Sequence, residues 1–142
     1  MAIFRPEDEE RIRERFDALA LPVELVVALG PEATPLPGHG DVDFGAETVR
    51  IVEELCALSD RVTYRVEHEP AELDRFPAVL IRPEGEEVGL RYDGLPWGHE
   101  LGSLVGAVLE AGRAESSLRP ESLEALARLD HDLAIDVFVT PT

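Results

Sequence analysis

Val23-Glu-Leu-Val-Val-Ala-Leu29 is a short apolar run, stopped by Pro22 on one side and by Gly30-Pro31 on the other. A run of this length between two breakers, rich in β-branched residues, reads as a buried strand. The residues after it constrain how that strand is used. Residues 30–45 hold three Pro and four Gly, which excludes a regular element there. Residues 46–58 then place Val49, Val52, Leu55, Cys56 and Leu58 at helical spacing, and residues 61–67 alternate with period two. Strand, helix and strand in succession form a parallel pair with a right-handed crossover.

The rest of the chain adds to this unit. Before it, residues 7–20 read as a helix: Pro6 suits the first turn, the early acids suit the helix dipole, and Ile12, Phe16, Leu19 and Ala20 share a face. After it, His68 to Asp74 is a polar connection with room for a short helical turn. Residues 76–82 read as a strand, 83–86 as a turn, and 87–92 as its antiparallel return. Pro96 and Gly98 precede a helix over 99–111, with Leu101, Leu104, Val105, Val108 and Leu109 at helical spacing. A further helix is expected over 120–129, lined by Leu123, Leu126 and Leu129. Residues 133–139, Leu-Ala-Ile-Asp-Val-Phe-Val, read as one more strand.

Charge and cysteine content remove several function classes. The net charge is −17, and all thirteen bases are Arg. Such a surface repels phosphate backbones and anionic membranes, so neither nucleic acid nor membrane is an expected partner. Its simplest reading is solubility, and the replacement of Lys by Arg fits either a high-salt or a GC-rich origin. No apolar run approaches the ~18 residues of a membrane-spanning helix, and the charged start carries no signal-peptide pattern, so a cytoplasmic location is expected. Cys56 is the one cysteine, which excludes an intramolecular disulfide, a CxxC pair and a cysteine zinc cluster. No GxGxxG, P-loop, HExxH or GxSxG pattern occurs, so no cofactor is implied.

The element order βαβ-ββα is that of the thioredoxin core, and particular residues strengthen the likeness. Arg91-Tyr92-Asp93-Gly94-Leu95-Pro96-Trp97-Gly98-His99-Glu100 resembles the R-Y-x-G-L-P-x-G-H-E segment of protein disulfide oxidoreductases. That segment belongs to the N-terminal unit of these two-unit, glutaredoxin-like proteins. Asp74-Arg75-Phe76-Pro77-Ala78 resembles the same unit's cis-proline segment. Val137-Phe138-Val139-Thr140-Pro141-Thr142 resembles the strand leading into the second unit's CPxC. The resemblance implies a thioredoxin-like α/β fold with a mixed sheet, an extra N-terminal helix and a C-terminal helix-strand extension. It also implies a division into residues 1–116, the thioredoxin-like unit, and residues 117–142, a linker helix and the first strand of an incomplete second unit. The family's N-terminal unit often carries a CxxC after its first strand, where this chain has Pro31 to Gly38 without cysteine. The N-terminal region of bacterial alkyl hydroperoxide reductase flavoproteins is similar in plan, with a redox-dead first unit and an active second one.

The candidate site residues follow from that resemblance. Arg75, Phe76 and Pro77 are expected to line a groove that takes a protein or peptide partner by strand addition, with Pro77 cis. The competing reading is that Pro77 serves only the turn. Cys56, the lone thiol, reads as a buried small hydrophobe or else as a regulatory thiol. Thiol exchange needs an attacking thiolate and a resolving thiol, so no catalytic residue is expected. His39, Asp41 and Asp43 read as a solvated loop rather than a metal site, His68 and His131 as surface groups, and His99 as a capping residue or a helix–loop contact at a helix start. The acidic runs Glu7–Glu10 and Glu84–Glu87 read as solvated faces. Three readings result: a redox-inactive structural or interaction unit, a piece of an active thiol–disulfide oxidoreductase whose CxxC lies past residue 142, or a stand-alone chain that forms a homodimer through 133–139.

Overall fold

The structure, a computed structural model, describes residues 3–31 and 40–139. Eight elements follow in order: α1 (Pro6–Asp17), β1 (Val23–Leu29), α2 (Phe44–Cys56), β2 (Val62–His68), β3 (Ala78–Pro83), β4 (Arg91–Asp93), α3 (His99–Ala111) and α4 (Pro120–Ala127). The four strands form one mixed sheet in the order β2-β1-β3-β4. β1 pairs parallel with β2, Val23 opposite Val62, and antiparallel with β3, Val26 opposite Leu80. β3 pairs antiparallel with β4, Leu80 opposite Arg91.

Strand alternation divides the core in two. Val23, Leu25 and Val27 of β1 join Val62, Val79 and Ile81 on one face. Phe16 and Leu19 of the α1 region, Val52 and Leu55 of α2, and Leu104 and Val108 of α3 cover that face. Full burial of one such aliphatic side chain stabilises by about 1.5–3 kcal/mol, so this cluster is the main source of the fold's stability. Val26, Ala28, Ala78 and Leu80 face the other way and are also buried. Among the described residues no helix packs on this second strip. Leu73 and Phe76, from the connection between β2 and β3, pack on it instead.

Charged side chains flank the second strip. Arg65 lies 3.3 Å from Glu24 and also pairs with Glu67, Arg82 lies 3.0 Å from Glu87, and Arg91 lies 3.3 Å from Asp93. These pairs let a sheet face carry charge next to buried apolar residues.

Several boundaries differ from the sequence expectation, each for a local reason. α2 starts at Phe44 because the Asp43 carboxylate accepts the Gly45 and Ala46 N–H groups at 2.9 and 3.2 Å. β4 keeps only three residues. Gly89 at φ +73 and the Glu87 carboxylate, which accepts the Gly89 N–H at 2.7 Å, turn the hairpin before the ladder begins. The 68–74 connection forms turns rather than a helix, with the Leu73 N–H on Pro70 O at 3.1 Å.

The largest correction concerns residues 133–139. They form no strand, and Leu133, Ile135, Val137, Phe138 and Val139 are all exposed. A strand exists only by pairing, and this segment reaches neither sheet edge, β2 nor β4. The C-terminal extension within the described residues is therefore the helix α4 followed by irregular chain.

Candidate partner-binding site

Phe76 and Pro77 end the connection that enters β3, and the peptide bond between them is cis. Pro77 is buried, and its carbonyl accepts the Gly94 N–H at 2.7 Å, which ties the turn to the end of β4. Phe76 is half-buried, and its ring lies directly on Gly30, the residue after β1. A Cβ at Gly30 would sit 3.0 Å from Phe76 Cβ and 3.2 Å from the ring, so a larger residue there would have to push Phe76 aside by a few tenths of an ångström. The segment after β1 therefore starts under an aromatic ring beside a buried proline.

Arg75 is exposed next to this pair, with Nη1 3.7 Å from the Asp93 carboxylate. The other Asp93 oxygen lies 3.3 Å from Arg91 Nε. Asp93 thus holds two guanidinium groups at the rim of the turn. The structure brings Arg75, Phe76 and Pro77 together with Gly30, Asp93 and Gly94. Sequence reasoning does not single out Gly30 or Asp93. The Gly30-Pro31 pair is a visible signal, but the Arg75–Asp93 contact depends on the β3–β4 register.

Cys56 lies apart from this group. It is the last residue of α2, whose first turn is the end nearer Gly30 in the chain path. Twelve helical steps separate the two ends, about 18 Å along the axis. The thiol is half-buried against the core cluster, and burial pushes it up to about 12. It is therefore protonated and a poor nucleophile at neutral pH.

The remaining candidates scatter. His39 lies outside the described residues, and Asp43 caps α2. His99 is exposed at the start of α3, where Gly98 is the N-cap and no side-chain cap forms, so the expected capping role is not seen. His68 is exposed at the end of β2, and His131 pairs with neighbouring Asp130 at 2.8 Å. A groove of about 640 Å³ between α1 and α3, lined by Phe4, Ile12, Leu101 and Val105 among others, touches none of the Arg75–Pro77 group. No described helix is long and apolar enough to cross a membrane.

The fold resembles those of solved structures. The alkyl hydroperoxide reductase component AhpF of Enterococcus faecalis superposes with TM-score 0.73 at 22% identity, over 90% of this chain and 62% of that one. A protein disulfide oxidoreductase from Aeropyrum pernix superposes with TM-score 0.68 at 22% identity, over 91% and 56%. The fold is thioredoxin-like. In sequence, the chain is 30% identical over 129 residues to the AhpF component of Escherichia coli alkyl hydroperoxide reductase, a match that covers 90% of this chain and 22% of that protein. The chain spans about a fifth of the length of the curated relatives it matches. No protein-family model matches it. Its likeness is to the N-terminal thioredoxin-like region of these proteins, and with one cysteine it has no CxxC.

Proposed function

We propose that this chain is a redox-inactive thioredoxin-like unit with a structural or protein-interaction role in a cytoplasmic disulfide-oxidoreductase-like protein. The observation that carries this reading is Cys56: one thiol, half-buried at the far end of α2, with its pKa raised to about 12 by burial. Dithiol exchange needs a second sulfur to resolve the mixed disulfide, and this chain has none. The surface made by Arg75, Phe76 and Pro77 beside Gly30 is the one that would take an extended protein segment. The recombinant chain should reduce insulin in the presence of dithiothreitol no faster than buffer. Turnover that persists in Cys56→Ser would overturn the reading.

A second reading rests on a different observation. The exposed apolar segment 133–139, in a chain one fifth as long as its relatives, favours a longer protein in which this segment opens a following unit that carries the CxxC. A CxxC encoded immediately after residue 142 supports it, and a stop codon there removes it.

A further inference from the structure

The passage from α3 to α4 is fastened at two points. Gly112 is buried, accepts the Leu21 N–H on its carbonyl at 3.0 Å, and donates its own N–H to Val108 O at 3.0 Å. A Cβ there would lie 2.6 Å from Leu19 Cδ2 and 3.1 Å from Leu21 O, so the backbone is pressed onto the link between α1 and β1. Five residues later the chain is tied back to α3. One carboxylate oxygen of Glu110 accepts both the Ser117 N–H, at 3.1 Å, and the Ser117 hydroxyl, at 2.7 Å.

The turn between these points is closed by neighbouring groups. Arg113 Nε lies 3.8 Å from the second Glu110 oxygen and donates to Glu115 O at 3.2 Å. Ser116 Oγ accepts the Leu118 N–H at 3.1 Å, and Arg119 then starts α4. Beyond this point none of the α4 residues is buried. The Ser117 bonds also hold Glu110 below the usual carboxylate range, consistent with a carboxylate that is charged when the turn is closed.

We propose that residues 112–117 form a latched joint, with Gly112 as the fixed anchor and the Glu110–Ser117 pair as the latch, which sets the direction in which α4 and all later residues leave the sheet unit. The anchor is buried and permanent. The latch lies in solvent, where such bonds are individually modest, so it opens and closes without unfolding the core. Two orientations of α4 then exchange, and the closed one dominates while Ser117 is bound. The joint works independently of whether the unit has redox activity.

Spin labels test this in the full chain, with Asp60→Cys on the sheet unit and Ala127→Cys on α4 in a Cys56→Ser background. Pulsed electron–electron resonance should give one narrow distance population. Glu110→Ala should broaden it several-fold, Ser117→Ala should broaden it less because the N–H remains, and Glu115→Ala should leave it unchanged because only its carbonyl is used. All four proteins should share one urea midpoint. A parent distribution as broad as that of Glu110→Ala, or one that stays narrow in both latch variants, overturns the proposal.

Discussion

Cys56 holds its proton because α2 ends with the sulfur turned onto core side chains, where a thiolate would lose its hydration. The folded thiol titrates near 12 against an ordinary value of 9.0, so folded chains keep a proton that unfolded chains release. Stability from this group is complete below about pH 9 and is lost as pH rises toward about 12. Tyr64 and Tyr92 are also pushed up, mainly by desolvation, and act in the same direction. Comparison with Cys56→Ser isolates the thiol: in urea melts across this window, the wild-type midpoint should fall more steeply with pH. Parallel curves would show that the sulfur is hydrated. Sequence spacing puts Cys56 on an apolar helical stripe, since spacing alone decides which way a helical side chain points, and in the fold it packs partly buried against the core cluster. The sequence could not reveal that Asp93 also grips Arg75, because that contact depends on which residue of β4 lies opposite Ala78.

Elements whose signals are local were legible, and those that depend on a partner were not. α2 is the clearest local case. Its apolar face is periodic, Asp43 supplies two cap acceptances, and Glu47, Arg50 and Glu54 form ion pairs along its outer side. Loss of an N-cap carboxylate costs about 1 kcal/mol, so Asp43→Ala should lower unfolding free energy by about that amount, read from chemical denaturation. Asp43→Ser should recover most of it, since a hydroxyl can accept the same N–H groups. An unchanged Asp43→Ala would mean that the helix start is held by packing alone. The segment 133–139 shows the opposite case. It alternates like a strand, but alternation specifies a face rather than a neighbour, and no sheet edge of the described chain lies beside it. The 68–74 connection is similar: its polar composition allowed a helical turn, and the structure uses it to lay Leu73 and Phe76 on the second sheet strip.

At the scale of the molecule, two features act against each other. The buried clusters draw only on residues up to Val108, while eight of the twelve exposed large apolar side chains of the described residues lie after Arg119. Exposed apolar chain promotes association. The net charge of −17 opposes it through mutual repulsion, which acts over about 10 Å at 0.1 M salt and about 3 Å at 1 M. The full chain should therefore be monomeric at low ionic strength and self-associate as salt is added, as read from light-scattering mass. A chain ending at Arg119 keeps the sheet, both core clusters and the Glu110–Ser117 latch. It should stay monomeric across the same salt range and unfold at the same urea midpoint as the full chain. A truncated chain that associates equally would place the sticky surface elsewhere, with the α1–α3 groove the next place to examine. A clear fall in its midpoint would mean that α4 and the residues after it stabilise the sheet unit through contacts beyond those in this conformation.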